Sequence, residues 1–253
     1  MKVKWKMIWH ISDKKGEKMN WRTKARLVKR KKNISKMKAR ETERSMKKIE
    51  EKNKTASFEI IFIGRSNVGK STILNEITGE KLRTGKRPGV TLKPTHLYFD
   101  DLLVTDMPGF GFMNGVTEEK TEEVKTGIVR YIEDHKDRIK IAVLVIDGAA
   151  FEQIVKRWDE RDEIPIDIEL FSFITEFGIS PIVAINKVDR IEKDAYDEKI
   201  DTIKKYYNEY NQNGKNVAFS PISAKRKETE ALVKALRNEL HVLKRNDLFK
   251  FFK

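Results

Sequence analysis

Apolar residues fall in short blocks along most of the chain, with longer mixed stretches between them. Phe58–Ile63 is one such block, the length of a buried strand. Residues 139–146 and 181–185 repeat the form, and 217–219 is a shorter version. Residues 96–99 and 102–105 are two more runs, joined by Asp100-Asp101 as in a hairpin. Residues 71–78, 117–135 and 195–210 have helical length and composition. Residues 228–243 place Leu232, Leu236, Leu240 and Leu243 on one helical face. The segment 82–95, rich in Gly, Pro and basic residues, reads as a loop.

Strands alternating with helices predict βαβ units and an α/β fold. The six apolar runs form a mostly parallel sheet with helices on both faces and one antiparallel neighbour from the hairpin. The stretch 149–174 is longer than a plain crossover helix; 166–177 is expected as the helix and 151–164 as an elaborated loop. There is no internal repeat.

Charge changes the picture at one end. Residues 1–54 hold 21 Lys+Arg against 6 Asp+Glu, whereas the rest holds 32 against 33. The expected organisation is a basic, flexible or helical extension over 1–54, a globular body over 55–246 and a short basic-aromatic tail over 247–253. Glu and Lys three and four residues apart support helix over 36–52. The tail either packs on the body or meets a partner. The chain has no cysteine, which excludes a disulfide scaffold or thiolate metal site and fits a cytoplasmic setting. No apolar run approaches the ~18 residues of a membrane span, and the first residues lack the apolar core of a signal peptide.

Directly after the first predicted strand stands "GRSNVGKS", the pattern G-x-x-x-x-G-K-[ST]. Gly64 and Gly69 let the backbone turn its N–H groups round a phosphate. The helix that follows points its positive end at the same place. Lys70 reaches the terminal phosphates and the Ser71 hydroxyl ligates Mg²⁺. Three further stretches follow strands. "DMPGFGF" starts at Asp106, whose carboxylate suits Mg²⁺ through water, and its Gly109 N–H suits a γ-phosphate. "NKVD" offers the Asp189 carboxylate to two adjacent donors on guanine, with the Lys187 stem over the base, and "SAK" at Ser223 offers a backbone N–H to the guanine oxygen. Motifs at the carboxyl ends of successive strands share one crevice.

The set "GRSNVGKS", "RPGVT", "DMPGFGF", "NKVD" and "SAK" resembles the EngB family of ribosome-assembly GTPases, within the TrmE/Era-like P-loop GTPases, over residues 57–243. The resemblance implies that Gly64, Arg65, Ser66, Asn67, Val68, Gly69, Lys70, Ser71 and Thr72 bind the GTP phosphates. It implies that Thr91, within Gly89, Val90, Thr91, Leu92 and Lys93, is the switch I threonine, closing on Mg²⁺ and γ-phosphate. Asp106, Met107, Pro108 and Gly109 are then switch II. Asn186, Lys187, Val188 and Asp189 read guanine, helped by Pro221, Ile222, Ser223 and Ala224. The metal ligands are Ser71, Thr91 and Asp106, and Lys70, Thr91 and Asn67 carry catalysis. Val90-Thr91-Leu92 stands where family members often have Arg-Thr-Gln, and Asn186 where they often have Thr.

Many GTPases orient the attacking water with a glutamine after the switch II glycine. Here Phe110 stands there, so intrinsic hydrolysis is expected to be slow. Two readings of Asn67 are open, a K⁺ ligand that neutralises charge or a side chain that holds the loop. Phe110 and Phe112 either pack under switch II or hinge in and out. The resemblance implies a monomeric GTP/GDP switch that acts in assembly of the large ribosomal subunit. The basic arm, with Trp5, Trp9 and Trp21, suits rRNA or a ribosomal particle. An anionic membrane, a solvating tail and an upstream start before Met37 or Met46 are the other readings of it. A GTP-regulated protein-interaction switch in cell division or at a membrane surface is the alternative function.

Overall fold

The structure, a computed structural model, describes residue 37 and residues 56–82, 93–110, 118–211, 214 and 216–253. The chain divides into two compact units, Met1–Thr55 and Ala56–Lys253, and every described strand lies in the second. Met37 aside, the expected helix over 36–52 lies outside the described residues.

The elements of the second unit run β1 (Phe58–Ile63), α1 (Lys70–Thr78), β2 (Thr95–Phe99), β3 (Leu102–Asp106), α2 (Glu118–His135) and β4 (Ile139–Asp147). They continue with α3 (Phe151–Asp159), α4 (Ile166–Glu176), β5 (Ser180–Asn186), α5 (Tyr196–Glu209), β6 (Ala218–Pro221) and α6 (Glu230–Val242). The six strands form one sheet in the order β2-β3-β1-β4-β5-β6. Only β2 is antiparallel, and it pairs with β3 across the Asp100-Asp101 turn, where Asp100 has a φ of 53°. β1 and β3 are buried along their whole length because helices cover both faces. One face packs Ile60 and Phe62 against Ile73 and Leu74 of α1 and Leu232 and Leu236 of α6. The other packs Ile61 and Ile63 with Ile128 of α2, Phe171 of α4 and Ile203 of α5.

The sequence reading needs one correction. Residues 151–164, expected as an elaborated loop, begin with the helix α3 over Phe151–Asp159. Phe151, Val155 and Trp158 are four and three residues apart, so one helical stripe meets the core while charged residues face out. The dense charges hid this stripe.

The tail packs on the body. Asn246–Phe251 is a 3₁₀ turn that buries Leu248 and sets Phe252 into the α1/α6 face. The Lys253 N–H donates to the Ile77 carbonyl at 2.8 Å, and Arg237 donates to the Phe252 carbonyl at 2.7 Å. Arg245 pairs with Asp101 at 2.8 Å and Lys250 with Asp100 at 3.0 Å, so the tail also holds the β2–β3 turn.

A carboxylate is fully buried in β1. Glu59 accepts hydrogen bonds from Thr105 (2.5 Å), Tyr131 (2.6 Å) and Arg138 (2.7 Å). The Thr105 hydroxyl is committed as a donor, so His96 on β2 donates to it from Nδ1 at 3.0 Å. Burial lowers the His96 pKa, as do Arg138 and His135, while Glu59 opposes the shift. The unfolded chain therefore takes a proton on this imidazole near pH 6.5, and the folded protein only at lower pH. Stability falls as pH drops through that window. His96→Phe keeps a ring against Tyr131 and should remove part of the fall in melting temperature between pH 7.5 and 5.5; an unchanged fall would show that His96 is not responsible.

Candidate nucleotide-binding site

The chain leaves β1 at Ile63, turns through Gly64 and reaches α1 at Lys70. Gly64 lies under β4, where an added Cβ would stand 2.2 Å from the Val145 carbonyl oxygen. Asn67 and Gly69 have φ of 63° and 105°, the left-handed turns that make neighbouring amides converge on an anion. No side chain caps α1, so its first N–H groups keep no side-chain acceptor.

Lys70 is almost wholly buried and donates to the carbonyls of Gly64 (2.9 Å) and Arg65 (3.0 Å). Burial pushes its ammonium down to about 8, with the Asp106 carboxylate opposing. Next to it the Ser71 hydroxyl donates to Asp106 Oδ2 at 2.5 Å. Burial pushes the Asp106 carboxyl up, against the Ser71 hydrogen bond and the Lys70 charge. Asp106 Oδ1 is buried with no partner. A free carboxylate oxygen beside a hydroxyl is the donor set a hard cation such as Mg²⁺ selects, so the residues fit that ion.

After β3 the chain stays close to the loop. Met107 donates its N–H to the Phe62 carbonyl at 3.0 Å, and Ser66 donates to the Phe110 carbonyl at 2.9 Å. Phe110 is fully buried in the core with Met107, so of its two readings the structure has packing. Pro108 is buried and Gly109 half-buried beside it. Phe112 lies outside the described residues, as do Gly89, Val90, Leu92 and Thr91, the threonine expected in switch I. Lys93 is exposed where the chain re-enters towards β2.

The loops after β5 and β6 interlock. Asn186 uses both ends of its amide: Nδ2 donates to the Val68 carbonyl at 2.7 Å, and Oδ1 accepts the Ala224 N–H at 3.0 Å. Asn186 thus knits the phosphate loop to the loop after β6. Val188 donates to the Ile222 carbonyl at 3.3 Å and Ile222 to the Ile185 carbonyl at 2.8 Å, just past Pro221. Ser223 donates to Asp189 Oδ1 at 2.7 Å, and this bond holds the Asp189 carboxyl below its usual range against slight burial. Lys187, at a φ of 64°, pairs with Asp147 Oδ2 at 2.6 Å. Asn67 in the loop and Thr72 in α1 are exposed.

Sequence reasoning missed two residues here. Asp147 closes an apolar strand, the same position that singles out Asp106, and that signal would have found it. Asp167 is buried and pairs with Arg65 at 2.8 Å; one acid in an acid-rich stretch offers no such signal. The Arg65 side chain is accordingly held by α4, while its backbone carbonyl accepts the Lys70 ammonium.

The strand ends at β1 and β3 suit a polyphosphate tail with its cation, and the loops after β5 and β6 suit a base. This is the P-loop GTPase fold. The model of a family described as 50S ribosome-binding GTPase matches residues 59–187. The probable GTP-binding protein EngB of Methanosarcina barkeri is 53% identical over 197 residues, covering 77% of this chain and 94% of the relative. Its namesake in Methanosarcina mazei is 54% identical over 206 residues, covering 79% and 98%. The crystal structure of a probable GTP-binding protein engB matches with a TM-score of 0.60 at 43% identity, covering 72% of this chain and 96% of that one. The chain belongs to the EngB family of GTP-binding proteins.

Gly64→Ala forces the loop off β4, because a backbone oxygen cannot yield as a side chain can. Overpacking of this kind costs about 1–3 kcal/mol. The expected result is a lower urea midpoint together with loss of GDP binding by calorimetry. Gly127→Ala in α2, where an added Cβ meets nothing within 4 Å, is the control and should be neutral or stabilising. Normal GDP affinity in Gly64→Ala would show that the close approach does not shape the site.

Proposed function

We propose that the protein binds GTP and GDP with Mg²⁺, hydrolyses GTP slowly and acts as a switch in assembly of the large ribosomal subunit. The observation that carries the nucleotide part is the Ser71–Asp106 pair with its spare buried oxygen, set against the loop lysine. The loop amides and Lys70 receive the β- and γ-phosphates, and the phosphate oxygens compete with the Gly64 and Arg65 carbonyls for the Lys70 ammonium. Ser71 and Asp106 hold Mg²⁺, which supplies neutralisation of charge on the phosphate oxygens. Asp189, fixed by Ser223, accepts from the two adjacent N–H donors of guanine, an arrangement adenine lacks. Thr91 and Gly109 close on the γ-phosphate and are released when it leaves. Phe110 sits where a water-orienting glutamine is common and is locked in the core, which supports slow unaided turnover.

Support for the ribosomal part is of two kinds. The matching family is described as ribosome-binding, and residues 1–54 carry the excess positive charge that attracts an RNA backbone. Among the described residues no helix is long and apolar enough to cross a membrane.

Two measurements test these parts separately. Asp189→Asn should weaken GDP binding at least tenfold and raise affinity for the xanthine nucleotide; unchanged guanine preference would remove Asp189 from base reading. Co-sedimentation with large-subunit particles in a non-hydrolysable GTP analogue should succeed at low salt, weaken as salt rises, and weaken again without residues 1–46. No association at low salt would leave the cell-division or membrane reading in its place.

A further inference from the structure

The phosphate loop has left-handed turns at Asn67 and Gly69, and no side chain caps the helix that follows it. Its shape must therefore be imposed from outside. One restraint is Asn186, which holds the Val68 carbonyl near the helix end of the loop. The other is Arg65 at the strand end. Its Nε donates to Asp167 Oδ1 at 2.8 Å, and its guanidinium lies 5.6 Å from the Trp158 ring centre. Asp167 is in the first turn of α4 and is buried; Trp158 is on α3. The Arg65 backbone meanwhile accepts the Lys70 ammonium and bridges to Phe110 after switch II. One residue thus touches the loop lysine, the switch II segment and the α3–α4 surface segment.

We infer that Arg65 is a positioning residue which transmits the placement of α3 and α4 to the phosphate loop through Asp167 and Trp158, so that guanine-nucleotide retention depends on that segment. The inference rests on the nucleotide reading above. A second buried ion pair shows what a purely structural lock looks like in this fold. Glu59 accepts from three donors spread over both carboxylate oxygens, and its pair with Arg138 is 2.7 Å long. The Arg65–Asp167 pair is single-pronged. Arg65 Nη2 is buried with no partner, and so is the hydroxyl of Tyr207 on α5. Burial pushes the Tyr207 hydroxyl up, and the Asp167 charge adds to that shift while the Arg65 charge opposes it, so the hydroxyl lies within reach of both. An unsaturated pair near a hydroxyl with a spare lone pair can re-form in a second arrangement, whereas Arg138 in the Glu59 cluster is also held by the Tyr131 hydroxyl at 3.3 Å. Coupling is reciprocal, so nucleotide bound at the loop must in turn steady α3 and α4.

The two pairs have similar lengths and burial, which supplies an internal control. The assay is release of a fluorescent GDP analogue from the full chain, chased with excess GDP, alongside thermal melting. Asp167→Asn should speed release at least tenfold, and Arg65→Lys, which keeps charge but not the flat fork over Trp158, by an intermediate factor. Arg138→Gln should lower the melting temperature to a similar degree and leave release within twofold. Equal acceleration by both pairs, or none by Asp167→Asn, overturns the inference. Should Asp167→Asn fail to fold, hydrogen exchange on the unaltered protein decides: GDP should slow amides in α3 and the first turn of α4, and no slowing there overturns it. A wild-type chain that takes up no guanine nucleotide at all sinks the functional reading itself, which separates the two failures.

Discussion

A row of backbone N–H groups aimed at one point is an unfavourable thing for a chain to hold. The amides repel one another, two residues sit in left-handed turns, and no helix cap satisfies the donors. Everything around the phosphate loop serves to hold it. Gly64 is pressed under β4, Asn186 grips Val68 from β5, and Arg65 reaches to α4. The segment after β3 is tied to the same loop through Ser66 and Phe110. The loop is thus a junction of four separate elements, and its geometry is a property of the whole sheet.

The parallel register makes that junction possible. β1 pairs with β3 on one side and β4 on the other, and β4 continues to β5 and β6. Parallel neighbours end on the same side, so Asp106, Asp147, Asn186 and Pro221 arrive at one edge with no further search. Strands buried on both faces leave few positions for charge, and Glu59 is tolerated only because three donors meet its carboxylate. That cluster ties β1, β3 and α2 together and, through His96, the edge strand β2.

β2 lies at one edge of the sheet and pairs on one side only, so contacts from outside the sheet bear on its anchorage. The tail supplies part of it. Phe251 packs 5.0 Å from Phe99 between ring centres, and Arg245 and Lys250 hold the two aspartates of the turn. The ion pairs are partly exposed and each adds little by itself. The buried Phe252 and Leu248 do more, by making the tail part of the α1/α6 core.

Much of the fold was legible because its signals are local. Apolar runs of strand length, leucines at helical spacing and the Asp100-Asp101 turn depend only on neighbours along the chain, and they placed every described strand within a residue or two. The phosphate loop was legible for the same reason: its two glycines, lysine and serine lie within eight residues. Helix α3 was hidden because its three core contacts are diluted by charged residues that the sequence cannot show to be facing outward. What only the tertiary structure decided is who holds whom. Asn186, expected at the base, also braces two loops, and Arg65, expected at the phosphates, also binds an aspartate 102 positions away. Such pairings are set by strand order and helix placement, and residues so far apart along the chain carry no mark of each other until the sheet brings them together.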